Sequence, residues 1–105
     1  MAALAVVAIV ITAIVSLTRV NQEQAFLHAL RSDPDSRVDG LPDEQLLVSM
    51  RLTCDRIGDG YSISDASDAA ENNWSTSGAL SNLTKAEYLG NVRAVYRAAV
   101  AACGT

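Results

Sequence analysis

From Ala2 to Leu17 the chain carries no charged side chain, and only Thr12 and Ser16 in that run are polar. Nothing else in the sequence restricts the fold as much. Such a run is a bilayer anchor, an export signal or a buried core helix. As a helix, residues 2–18 would be about 25 Å long at about 1.5 Å per residue. A hydrocarbon core is roughly 30 Å thick, and bilayer adjustment together with Val20 covers the difference. The run is apolar on all sides, unlike a helix that lies on a membrane surface.

A cleaved signal needs a basic start and small residues before the cut. Here the start is Met1 alone, and a cut after Ser16 would leave Ile14 two residues upstream. An uncleaved anchor is the better reading, with a cleaved signal or a core helix as the alternatives. Ala5 and Ala8 are then candidate partner contacts, because small residues let helices approach closely within a bilayer. Arg19 on the C-terminal flank would by itself favour keeping that flank inside. The acidic remainder and two cysteines favour the other side. The expected arrangement is one pass through the cytoplasmic membrane, with residues 1–19 as anchor or signal and residues 20–105 outside it.

That remainder is about 85 residues, a size that folds alone around a thin core helped by a cross-link. Its charge is lopsided. The net charge is −4, and ten of the twelve acidic residues lie between Ser32 and Asn73, against three arginines there. An acidic surface argues against nucleic acid, whose phosphates need neutralising, and against docking on anionic lipid. A solvated face, a basic protein partner or weak cation binding remain.

The periodicity is helical throughout, so the expected fold is all-α, with three to four helices after the apolar run. Phe26, Leu27 and Leu30 recur at helical spacing, and no breaker separates them from the opening run. Asp33–Glu44, with two prolines and a glycine, reads as a solvated acidic loop. The next helix places Leu46, Leu47, Met50, Cys54 and Ile57 on one face and stops at Gly58-Asp59-Gly60. A slimmer helix begins at Ser62, with Asp65 spaced for a capping box and Ile63, Ala66, Ala69 and Ala70 as its apolar face. Residues 74–82, apart from Trp74, read as a flexible linker. Thr84 and Glu87 form a second capping box, flanked by Leu83 and Tyr88 as a hydrophobic staple. Tyr88, Leu89, Val92, Val95, Tyr96, Ala99, Val100 and Cys103 then make a core stripe.

Cys54 and Cys103 sit on apolar faces of two helices. They are buried thiols if the chain stays in the cytosol and a disulfide if it is exported. Two cysteines with one histidine make no zinc site. Asp33, Asp35, Asp39 and Glu44 have calcium-loop spacing, but Arg37 and Val38 occupy positions that need a ligand and a glycine. His28 reads as a helix-surface residue rather than a general base. Trp74 is either a lid over the core or a partner contact. No catalytic constellation, cofactor motif or metal site emerges.

Phe26-Leu27-x-x-Leu30, Cys54-x-x-Ile57-x-x-Gly60, Leu83-Thr84-x-Ala86 and the late Cys103, in this order, resemble the DUF732 family of small exported mycobacterial proteins. The resemblance spans roughly residues 25–103. Ala102 and Gly104 stand where that family usually has an aromatic residue and a proline. It implies a compact helical domain outside the cytoplasmic membrane, with Cys54 bridged to Cys103, and implies no activity. The functional expectation is a non-enzymatic extracytoplasmic accessory or binding subunit of a larger integral membrane complex, such as a respiratory or transport assembly. The alternative is a secreted helical binding module for an apolar ligand or a host protein.

Overall fold

The computed structural model describes residues 19–78 and 82–104. Among them, α1 covers residues 19–32, α2 Asp43–Gly58, α3 Ile63–Asn73 and α4 Lys85–Cys103, so the described chain is all-α. None of these helices is long and apolar enough to cross a membrane. The apolar run at residues 2–17, with Ala5 and Ala8, lies outside the described residues.

Local chemistry sets the helix ends. Pro42 stands at the N-cap of α2 in an extended conformation, and Asp43 and Glu44 complement the positive end of the helix. At the other end Gly60 takes a positive φ of 91°. The Gly60 N–H donates to the Ile57 carbonyl at 3.0 Å and the Tyr61 N–H to the Arg56 carbonyl at 2.9 Å. This is a Schellman ending, which needs a residue free of Cβ strain at Gly60. Both expected capping boxes form: Ser62 with Asp65 on α3, and Thr84 with Glu87 on α4.

Helix α4 lies at the centre. α2 and α3 each pack on it, and their backbones make no close approach to each other. The core gathers Phe26 and Leu30 from α1, Val38 from the following loop, Leu46 and Met50 from α2, and Ala94, Ala98 and Ala99 from α4. The Cys54–Cys103 disulfide ties α2 to the end of α4, with the Cα atoms 6.1 Å apart.

Three expectations change. Of the stripe expected on α4, Ala99 is fully buried, but the rest of the stripe is not the helix's most buried part. Gly90, Ala94, Ala98 and Ala99 are buried, while Tyr88, Leu89, Val92, Val95, Tyr96 and Val100 are only half-buried. A helix packed on several sides needs small residues where neighbouring backbones come close. At Gly90 there is room for no more than a methyl group, since a Cβ added there would already be in ordinary contact with the Asp35 side chain at 3.5 Å. Ile63, assigned to the apolar face of α3, is 38% exposed, and α3 packs through Ala66 and Ala70. Trp74–Gly78, expected within a linker, forms one π-helical turn that continues α3. The indole of Trp74 covers Gly78 so closely that a Cβ there would collide with it.

The acidic loop is also anchored rather than merely solvated. Val38 is 3% exposed and belongs to the core. Arg97 on α4 holds Asp33 through Nε and Nη2 at 3.0 and 3.1 Å, and Asp35 at 3.0 Å. The Arg37 N–H donates to Asn91 Oδ1 at 2.6 Å, and its guanidinium reaches Glu87 at 3.3 Å.

These contacts predict a pH dependence. Asp33 is held below the usual carboxylate range by the backbone N–H of Asp35 and then by Arg97. The Thr84 N–H, followed by Arg37, does the same for Glu87, and the Ser62 N–H for Asp65. With folded-state values lowered, the unfolded chain binds more protons in acid. The stability these groups contribute is therefore complete above their unfolded values, near pH 4, and is lost as pH falls through the lower folded values. Urea midpoints should stay level from neutral pH to about pH 5 and fall below roughly pH 4. The double variant Asp33→Asn, Glu87→Gln should show a shallower fall. An unchanged acid slope would mean that these carboxylates are not held as charged acceptors.

Candidate binding groove

Because α2 and α3 splay apart from a short joint, a groove opens between them with α4 as its floor. Its volume is about 270 Å³. One wall is the outer flank of α2: Ser49, Leu52, Thr53 and Arg56. The floor is Asn91, Val92, Val95 and Tyr96, and Ala66 represents α3. Leu52 at the rim is 57% exposed, and Val48, one turn earlier, is 50% exposed. Two large apolar side chains therefore face water on the side of α2 away from the core.

Tyr61 shuts the end of the groove at the joint. The Schellman ending of α2 delivers it there, and three contacts fix it. The Tyr96 hydroxyl donates to the Tyr61 carbonyl at 2.8 Å. The Tyr61 hydroxyl donates to the Asp65 carbonyl at 3.3 Å. The Arg56 guanidinium lies 5.6 Å from the centre of the Tyr61 ring, within cation–π range.

The donors this groove can offer a ligand are Arg56, the Thr53 hydroxyl and the Asn91 NH2 group, since the hydroxyls of Ser49, Tyr61 and Tyr96 donate to carbonyls. Among the described residues Arg56 has no carboxylate within ion-pair distance, whereas Arg31, Arg37 and Arg97 are each paired with acids. The Asn91 oxygen is taken by the Arg37 N–H, which leaves its NH2 group to donate. No acidic side chain among the described residues lines the groove. Beyond the Tyr61 joint, Asp59 and Asp65 line a separate shallow depression with Arg56. The Asp65 carboxylate is occupied there as an acceptor for the Ser62 N–H at 2.9 Å. A third depression, about 460 Å³, lies where α1 begins, beside Cys54 and Cys103. It mixes Arg19 and Arg51 with Glu23 and Asp55, so it favours no one sign of ligand.

The residues singled out from the sequence do not converge on the groove. Cys54 and Cys103 are bonded to each other and line the third depression. Trp74 is half-buried, with its ring 5.7 Å from that of Tyr88 and tilted by 50°. His28 is exposed on α1. Among the described residues no group of three or more His, Cys, Asp or Glu side chains is placed to hold a metal ion. Sequence reasoning passed over Tyr61 and Arg56 and read Tyr96 only as part of a core stripe. The one available signal was an aromatic residue directly after Gly58-Asp59-Gly60, where a Schellman ending projects the next side chain back toward its helix. No family model, curated protein or solved structure matches the chain.

Proposed function

We propose that the chain is a non-enzymatic, membrane-held domain on the outer side of the cytoplasmic membrane, serving as a binding or accessory subunit of a larger membrane protein complex. The observation that carries this reading is the Cys54–Cys103 disulfide in a chain that opens with an uncharged apolar run. Disulfides persist in oxidising compartments, and an apolar run of that length is suited to a bilayer. The sequence resemblance to the DUF732 family supports the same location. The exposed Val48 and Leu52 give the domain an apolar face that a partner could cover.

A secreted binding module is the second reading. The groove beside Arg56 favours it, because a small-ligand site works without any membrane partner. One experiment separates the two. The chain is tagged at its C-terminus, membranes are solubilised in mild detergent, and the intact mass of the purified chain is measured with its co-purifying proteins. An intact N-terminus with a stoichiometric integral membrane partner is the expected result. A chain shortened near Ser16 and recovered alone from the medium would overturn membrane anchoring and leave the secreted module.

A further inference from the structure

We propose that the groove between α2 and α3 binds a carboxylate-headed acyl chain, with Arg56 gripping the head and Leu52, Val92 and Val95 covering the tail. The inference deepens the second reading, yet it stands whether the chain is membrane-held or released.

Among the described residues the lining carries one cation, the Thr53 hydroxyl and Asn91 NH2 as further donors, and no acidic side chain, within a chain of net charge −4. That local reversal selects an anion. Arg56 is unpaired among the described residues and is oriented by the Tyr61 ring rather than by a carboxylate. A guanidinium so placed can take a carboxylate through two parallel hydrogen bonds. Thr53 lies one turn before Arg56 and adds a hydroxyl donor. From Arg56 toward Ser49 the wall runs about 10 Å along α2, at about 1.5 Å per residue. Along that length the floor and rim are Val92, Val95 and Leu52, which suit an unbranched apolar chain.

Size argues against a docked helix. Two turns of helix with side chains, about 10–12 Å across, occupy on the order of 1,000 Å³. The groove offers about 270 Å³. It lies near the lower end of small-molecule sites, roughly 300 Å³.

The test uses the full-length chain in phosphatidylcholine nanodiscs with a decanoate that carries a photoreactive diazirine at its tail. Its methyl ester has the same tail without the charge. After irradiation, adducts are mapped by peptide mass spectrometry. The acid should label the peptides spanning residues 45–56 and 91–96, unlabelled decanoate should compete, and the ester should label them weakly. Arg56→Gln should reduce this labelling about tenfold, the factor expected for one charge-assisted hydrogen bond. Leu52→Glu, at an exposed position, should abolish it while leaving the thermal unfolding of the domain in place. Asp59→Asn should strengthen it by removing a nearby negative charge. Equal labelling by acid and ester, labelling unchanged in Arg56→Gln, or adducts confined to residues 2–17 would each overturn the proposal. The pull-down reads mass and partners, so failure of either experiment leaves the other conclusion intact.

Discussion

Replacing Cys54 and Cys103 together by alanine should lower the unfolding free energy by about 4 kcal/mol. The bridge joins positions 49 residues apart, so it restricts a long loop in the unfolded chain. The native cost is small by comparison. Both side chains are half-buried, so little core volume is lost when the sulfurs go. Trp74, the chain's one tryptophan, packs against Tyr88 of α4 and reports unfolding by its fluorescence. Urea titrations of the full-length chain in nanodiscs should show a lower midpoint for the double variant, and the same loss on adding reductant to the parent. Domains of about 85 residues have only about 4–13 kcal/mol to lose. A change below about 1 kcal/mol would mean that α2 and α4 hold together without the bridge.

Phe26→Ala should cost about 3–5 kcal/mol. Phe26 is 0% exposed and is among the largest fully buried side chains of the described core. It lies on α1, so this variant asks whether α1 belongs to the domain or merely tethers it. Removing the ring leaves a cavity between α1 and the small-residue face of α4, which cannot collapse without moving backbone. Phe26→Leu keeps most of the volume and should cost less than about 1.5 kcal/mol. The check is the same tryptophan-detected titration. If Phe26→Ala shifts the midpoint no further than Phe26→Leu, α1 contributes no core and the domain begins at α2.

Much of the helical plan was legible because it rests on local chemistry. Ser62 with Asp65 and Thr84 with Glu87 are reciprocal hydrogen-bond pairs whose spacing alone specifies a helix start. Gly60 ends α2 because the chain needs a positive φ there. Phe26, Leu30, Leu46 and Met50 were recognisable as core because each sits in a run with helical period. The groove was not legible. It exists only because α2 and α3 both pack on α4 while splaying from one another. Neither the splay angle nor the floor is written in any local stretch. Arg56 reads in the sequence as one more surface arginine. Only the fold sets it over Tyr61, at the end of a groove that no acidic side chain lines among the described residues.

The acidic loop draws the same distinction. The prolines, Gly40 and alternating acids specify a turn-rich segment, because they disfavour helix and strand alike. Val38, a lone apolar residue without a period, gave no sign that it enters the core. Arg97 lies more than sixty residues away from the Asp33 and Asp35 that it holds. By itself, then, the sequence determined the helices, their caps and the pair of cysteines, all set by interactions within a few residues. The tertiary structure decided which face of α4 is buried, where the loop docks and that a groove opens beside Arg56. Those depend on how three helices share one central surface, and close approach there selects for small residues rather than for the most apolar ones.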